Sequence, residues 1–305
     1  MHDERMTRRQ FIRRALAGGL AAYGLAGLPG MEGPAEAAAA PTIAVAGNRK
    51  PAELVRAAIN GLGGISKFVT RGNLVVVKPN MSWARKPDQA ATTNPEVVAE
   101  IVRLCRGAGA REVRVIDHIL DAPDATVLRL TAIQQAAEAA GARVISASSM
   151  ALYQRMTLKR GKVLKVADVL RDLVRADVFI NVPIAKVHGS TTLTLGLKNL
   201  MGVVWDRGAW HASSSLDQCI ADFAAHIKPD LVVLDAARTL MSNGPKGPGR
   251  IATPNLVVAG TDQLAVDAYG AKIMGRKPEE VGHLRLAASL GVGELRLDRI
   301  RVKNV

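Results

Sequence analysis

The chain has 305 residues, 48% of them hydrophobic and 3% aromatic, with 41 lysines and arginines against 27 acids and a net charge of +14. Near-half apolar content is that of a globular protein and argues against disorder. The basic residues are scattered and only ten aromatics are present, which argues against a nucleic-acid binder and leaves small anions or an anionic surface as partners.

The first forty residues have the layout of an export signal. Thr7-Arg8-Arg9-Gln10-Phe11 forms a basic head, Ala15 to Leu28 an apolar middle, and Ala35-Glu36-Ala37-Ala38 a small-residue cleavage region. The paired arginines before an aromatic resemble a twin-arginine (Tat) signal, so the Tat export machinery is an expected partner and the periplasm, or another extracytoplasmic space, the expected address. The apolar run is shorter than the roughly 20 residues of a membrane span and is diluted by four glycines, so no anchor is expected after cleavage. The signal holds five arginines and four acids; beyond it 36 basic and 23 acidic residues remain, net +13. Residues 1–40 are therefore assigned to signal and linker, and 41–305 to a single α/β domain.

Within that domain short apolar runs alternate with helical patterns. Thr42–Ala46, Leu74–Val77, Val113–Ile116, Val178–Ile180, Leu231–Leu234 and Leu256–Val258 read as strands buried on both faces, with Arg143–Ile145 a fainter one. Asn94 caps a helix whose first position is Pro95. Thr126–Ala140, Ser215–Ile227 and Asp262–Met274 carry apolar residues at helical spacing. The alternation predicts an α/β fold, a mostly parallel sheet with helices on both faces. The less regular stretch 147–176 leaves room for a small subdomain. Cys105 and Cys219 fall in amphipathic helices, as buried thiols; two cysteines cannot hold an iron–sulphur cluster.

Five strands end in polar groups: Lys78 and Asn80, Asp117 and His118, Asn181, Asp235, and Thr261-Asp262. In a parallel sheet the carboxyl ends of the strands are where ligands bind. The densest segment, Asn181 to Gly202, adds Lys186, His188, Thr192, Lys198 and Asn199. Gly189-Ser190-Thr191 is expected to open a helix whose free amides face an anion. Asn243–Gly249, with three glycines and Lys246, is either a close-approach loop or a plain turn. Asp117, His118 and His211 are weak metal candidates, since no zinc-type spacing is present; the cofactor is left unknown.

Four blocks carry a resemblance: Val77-Lys78-Pro79-Asn80; Thr92-Thr93-Asn94-Pro95-Glu96; Lys186-Val-His-Gly with Lys198-Asn199-Leu-Met-Gly202; and Gly260-Thr-Asp-Gln-Leu-Ala-Val-Asp267. Here the chain resembles the domain-of-unknown-function 362 family, in its stand-alone form without a ferredoxin-like module. It departs at Val187, where Thr is common, and at Gln263, where Pro is usual. The resemblance implies an α/β fold and a shared polar site and carries no assigned reaction.

These readings lead to a periplasmic enzyme acting on a small anionic substrate. Lys186, His188 and Asp267 are its catalytic candidates. Lys78, Asn80, Thr192, Lys198, Asn199, Asp235 and Asp262 are its binding candidates. The alternative is a cofactor- or metal-binding or assembly protein without turnover. A two-lobed solute-binding protein finds no boundary in the sequence.

Overall fold

The computed structural model describes residues 40–305 apart from Ala122 and Ser214, so nearly all of the expected signal lies outside the described residues. The first strands are β1 (Thr42–Gly47), β2 (Leu74–Pro79), β3 (Glu112–Asp117), β4 (Arg143–Ser146), β5 (Tyr153–Thr157) and β6 (Val166–Leu170). They are followed by β7 (Val178–Val182), β8 (Ile184–His188), β9 (Thr192–Thr194), β10 (Leu231–Leu240), β11 (Ile251–Ala252), β12 (Leu256–Gly260) and β13 (Arg301–Asn304). The main sheet runs β13-β1-β12-β10-β7-β2-β3-β4, with β8 and β11 added to β10 and β9 to β8. From β10 to β4 every pairing is parallel.

Alternate strand residues project to opposite faces, and both faces are apolar. Val75, Val77, Val113, Val115, Ile180 and Val233 face helices α1 (Pro51–Gly61) and α2 (Pro95–Gly107). Val76, Ile116, Phe179, Val232 and Leu234 face the other way, into the layer of the later helices. Each such side chain contributes about 1.5–3 kcal/mol on burial; the polar interruption in these runs, Arg114 of β3, is half-buried and paired with Glu112 and Asp172. Asn94 caps α2 as expected, its Oδ1 accepting from the Glu96 amide at 2.9 Å. Cys105 and Cys219 are both buried and free, one in each of the two apolar layers, so the sheet separates them.

The expected helix at 126–140 is two helices, α3 (Asp124–Thr131) and α4 (Ile133–Ala139), broken at Ala132 with φ 55°. Thr131 and Ile133 are both buried, yet two positions of a straight helix are about 200° apart around its axis. The break lets both face inward. Residues 147–176 hold the antiparallel β5–β6 pair and α5 (Arg171–Arg175); Tyr153, Met156 and Val169 enter the same apolar layer as Phe179.

β12 is the exception to the parallel order. It returns beside β10 through the short β11 segment instead of a crossover helix, and so pairs antiparallel with both β10 and β1. Its carboxyl end therefore lies at the opposite edge of the sheet from those of its neighbours.

Candidate functional site

The central strands β7, β2 and β3 place Asn181, Lys78 and Asp117 side by side at one edge. Lys78 Nζ and Asp117 Oδ1 form a buried ion pair at 2.8 Å. Asp117 also accepts from the amides of Met81 (2.8 Å) and His118 (3.0 Å) and from Ser82 Oγ (3.0 Å). Lys78 Nζ donates to Asn199 Oδ1 at 2.9 Å, and Asn199 Nδ2 donates to Asn181 Oδ1 at 2.8 Å. A Cβ on Gly202 would lie 2.0 Å from Asp117 Oδ1 and 2.6 Å from Lys78 Nζ, so only glycine admits the chain this close to the pair.

After β7, Pro183 leads into β8, which continues beyond the edge alongside the far half of β10. Lys186 and His188 are two apart on β8 and share a face. The antiparallel β9 sets Thr194 opposite Lys186, and the chain enters the short helix α6 (Gly196–Asn199). Next comes α7 (Arg207–Ala212), capped by Asp206, whose Oδ1 accepts from the Ala209 amide.

These elements enclose a cavity of about 330 Å³. Lys78, Asn80, Lys186, His188, Lys198 and Asn199 line it, with Thr194, Arg207 and His211; Trp83, Leu120, Met201 and Pro245 supply apolar wall. No described residue lining it is acidic. Arg207 and Thr194 are 8% and 3% exposed, and Arg207 Nε and Thr194 Oγ1 are buried without a hydrogen-bond partner. Unsatisfied buried donors of this kind cost about 1–3 kcal/mol each until a ligand meets them.

Among the described residues neither Lys186 nor Lys198 has a carboxylate in contact with it. Lys186 Nζ donates to the Ala91 carbonyl and, at 3.4 Å, to Asn80 Oδ1, with the Trp83 ring 6.0 Å away. Burial, then the Lys198 charge, hold its amine well below the usual lysine range. Lys198 Nζ contacts Met201 Sδ at 3.2 Å, and burial, followed by Arg207 and Lys78, lowers it to about 8. His188 Nδ1 accepts from the Ser190 amide at 3.1 Å, which leaves the ring proton on Nε2. Burial, followed by the Lys198 charge, pushes His188 down to about 3, so its imidazole is neutral at physiological pH.

A family model described as domain of unknown function (DUF362) matches residues 75–272, which contain every one of these lining residues. The chain belongs to the DUF362 family. A thylakoid-associated protein of Synechocystis sp. is 28% identical over 258 residues, covering 78% of this chain and 74% of that protein. Among solved structures, the lactate racemase apoprotein from Thermoanaerobacterium thermosaccharolyticum aligns with a TM-score of 0.46 and 9% identity, over 88% of this chain and 55% of that one. The DUF362 chain thus spans little more than half the length of that structure.

Of the residues singled out in the sequence, Lys78, Asn80, Lys186, His188, Lys198, Asn199 and His211 meet at the cavity. Asp267 does not line it: from α9 (Gln263–Ile273) its carboxylate accepts the Gly196 and Leu197 amides at 2.7 and 2.8 Å, and so holds the start of α6. Asp235 is buried under α2, accepting the Asn94 and Ala237 amides at 2.8 and 3.0 Å. Asp262 lies at the opposite edge because β12 runs backwards; it caps α9 and accepts the Glu294 amide at 3.0 Å. Thr192 is exposed at the β8–β9 tip with φ 62°, and Thr194 occupies the cavity wall instead. Gly189-Ser190-Thr191 forms that hairpin tip and opens no helix; the helix begins at Gly196, and its first amides are already taken by Asp267.

Asp117 spends its oxygens on Lys78, Ser82 and backbone amides. His118 stacks on Trp205 (centroids 5.3 Å apart) with Nδ1 3.2 Å from Tyr153 Oη, and His211 lies against His188. The three metal candidates are therefore not assembled, and the described residues bring together no set of three His, Cys, Asp or Glu side chains fit for a metal ion.

Arg207 and Trp83 were not singled out in the sequence. Both follow conspicuous polar or apolar breaks, Trp205-Asp206-Arg207 and Asn80-Met81-Ser82-Trp83, but neither sits at a strand end. The Gly-rich loop supplies Pro245 to the wall, and Lys246 stands 5.5 Å from the Trp83 ring and 3.6 Å from Asp121. A Cβ at Gly244 would lie 1.8 Å from the Val187 carbonyl oxygen, so the loop packs directly on the backbone of β8.

Proposed function

We propose that this DUF362 protein is an enzyme that binds a small organic anion in the cavity and acts on it through Lys186 and His188. One observation carries the reading: Lys198 and Arg207 are buried around one space that no acidic side chain lines among the described residues, and buried charge without close compensation is costly. A bound anion supplies the missing charge. Lys198 and Arg207 hold it, His188 offers the Nε2 proton as a hydrogen bond, and the uncharged Lys186 amine accepts a proton from an acidic group beside it. An anion in the cavity also offsets the neighbouring cations and so draws His188 back toward its ordinary range, where it can take part in proton transfer.

Lys198 gives this reading a pH signature. Its lowered value of about 8 means that it is charged below that pH and neutral above. Affinity for a small anion is therefore expected to hold steady below pH 8 and to fall by up to tenfold per unit above it. Titration calorimetry with pyruvate, succinate and inorganic phosphate across that range measures this. Lys198→Arg stays charged and should move the fall out of range; saturable binding with no fall in the unaltered chain would remove Lys198 from the anion site. No binding of any of the three, with no thermal stabilisation by a wider panel of carboxylates and phosphate esters, would overturn the anion reading.

We also propose that residues 1–40 act as a Tat signal, on the strength of Arg8-Arg9-Gln10-Phe11 and the apolar run behind it. Replacing both Arg8 and Arg9 with lysine should leave full-length chain in the cytoplasm of a host with the Tat machinery. Equal periplasmic accumulation of the doubly substituted chain would defeat the assignment. Among the described residues no helix is long and apolar enough to cross a membrane.

A further inference from the structure

We propose that Lys186 is a nucleophile that forms a Schiff base with the carbonyl carbon of a bound 2-oxo acid. This rests on the anion reading above and names the substrate class and the reacting atom.

The surroundings of Nζ favour an amine over an ammonium. Lys186 is 1% exposed, yet it pairs with no carboxylate among the described residues. Its two acceptors, the Ala91 carbonyl and Asn80 Oδ1, are neutral, and they match the two N–H bonds of an uncharged amine. An uncharged amine satisfied by these two acceptors keeps its lone pair free for attack. An ammonium would bring a third N–H and a charge into a site already holding Lys198, Lys78 and Arg207. Desolvation next to other cations is a recognised way to keep a lysine nucleophilic at neutral pH, and both influences lower this one.

The remaining wall selects the electrophile. Lys198 and Arg207 fix a carboxylate in the same small cavity as Nζ, so a carbonyl directly attached to that carboxylate is brought to the amine. Thr194, paired across from Lys186 on β9, has an unpartnered hydroxyl for the carbonyl oxygen. Trp83, Leu120 and Met201 accept an apolar substituent on the far side.

The step balances without a redox partner. The lone pair of Nζ attacks the carbonyl carbon; a C–N bond forms as the π pair moves to oxygen, which takes up a proton. The carbinolamine loses its two nitrogen protons and its oxygen as water and an exchanged proton, and the C=N bond forms. Ketone and amine give imine and water, and protonation of the imine nitrogen gives the iminium.

Borohydride trapping tests this on the unaltered chain. Protein is incubated with pyruvate, 2-oxoglutarate or oxaloacetate, reduced with sodium borohydride and mapped by peptide mass spectrometry; thermal stabilisation by the same anions is measured in parallel. The expected result is a single adduct on Lys186 equal to one oxo acid less one oxygen atom, absent from Lys186→Gln and reduced several-fold in Lys198→Gln. Adducts spread over surface lysines with none on Lys186 would overturn the proposal. Stabilisation without an adduct would overturn the Schiff base and leave the anion reading standing. Absence of both adduct and stabilisation, for these acids and for non-carbonyl anions alike, would overturn both.

Discussion

Asp117→Ala is expected to lower the stability of the folded protein by about 3–5 kcal/mol, because it strands the Lys78 ammonium in a buried site. Lys78 is 1% exposed and Asp117 0%, and Asp117 is the one carboxylate in contact with that lysine among the described residues. The same substitution removes the acceptor for the Met81 and His118 amides and for Ser82 Oγ. Lys78→Met is expected to cost less, since Asp117 keeps those three donors when the lysine is gone. Burial already lowers Lys78, and Asp117 partly restores it. Without Asp117 it falls further, so its folded value lies below that of the unfolded chain, which is about 10.4. The unfolded state then binds more protons through that window, and stability of the variant rises with pH across it. Urea midpoints at neutral pH and near pH 10 measure both effects. An Asp117→Ala loss under about 1 kcal/mol, or a larger loss for Lys78→Met, would contradict the pairing as described.

Asp267→Ala is expected to cost about 2–5 kcal/mol and to weaken anion binding together with stability, although Asp267 lies outside the cavity. It leaves two buried amides at the start of α6 without an acceptor, at about 1–3 kcal/mol each. That helix carries Lys198 and Asn199, so Asp267 is a positioning residue. Burial pushes its carboxyl up to about 7 against the pull of the Gly196 and Leu197 amides. A folded value above the unfolded one means that the native state holds the proton more tightly, so its contribution is greatest below about pH 4 and declines as pH rises to about 7. Asp267→Asn cannot ionise and should flatten that decline while retaining one acceptor. Denaturation midpoints between pH 4 and 8, with calorimetry for a bound anion, measure these effects. Unchanged binding in Asp267→Ala would show that α6 holds its place without this carboxylate.

The two aspartates also show where sequence reading stops. Lys78, Asn80, Lys186, His188, Lys198 and Asn199 could be found because each follows a buried apolar run or sits in a dense polar segment. Asp235, Asp262 and Asp267 carry the same local marks and do different work. Asp262 differs through strand direction: a short return at β11 reverses β12 and sends its carboxyl end away from the cavity. Asp267 and Asp235 differ through the backbone amides that tertiary packing brings to them. Arg207 and Trp83 show the converse, since nothing in their neighbours marks them until α7 and the loop after β2 fold toward β8. Gln263, the departure from the usual proline, still begins α9. Its side chain donates to the Ala224 and Ile227 carbonyls and joins that helix to the end of α8 (Leu216–Ala224).

By itself the sequence determined the alternation of strand and helix, the two apolar faces of the sheet and the cap at Asn94. Those features depend on side-chain periodicity and on hydrogen bonds between near neighbours, which a linear pattern records. Only the tertiary structure decided which strand runs backwards, which carboxylates hold helix starts, and that Lys78, Lys186, Lys198 and Arg207 share a cavity lined by no acid among the described residues. Those features depend on groups scores of residues apart, such as Lys78 and Asn199 or Gly196 and Asp267, whose meeting is set by the packing of whole elements.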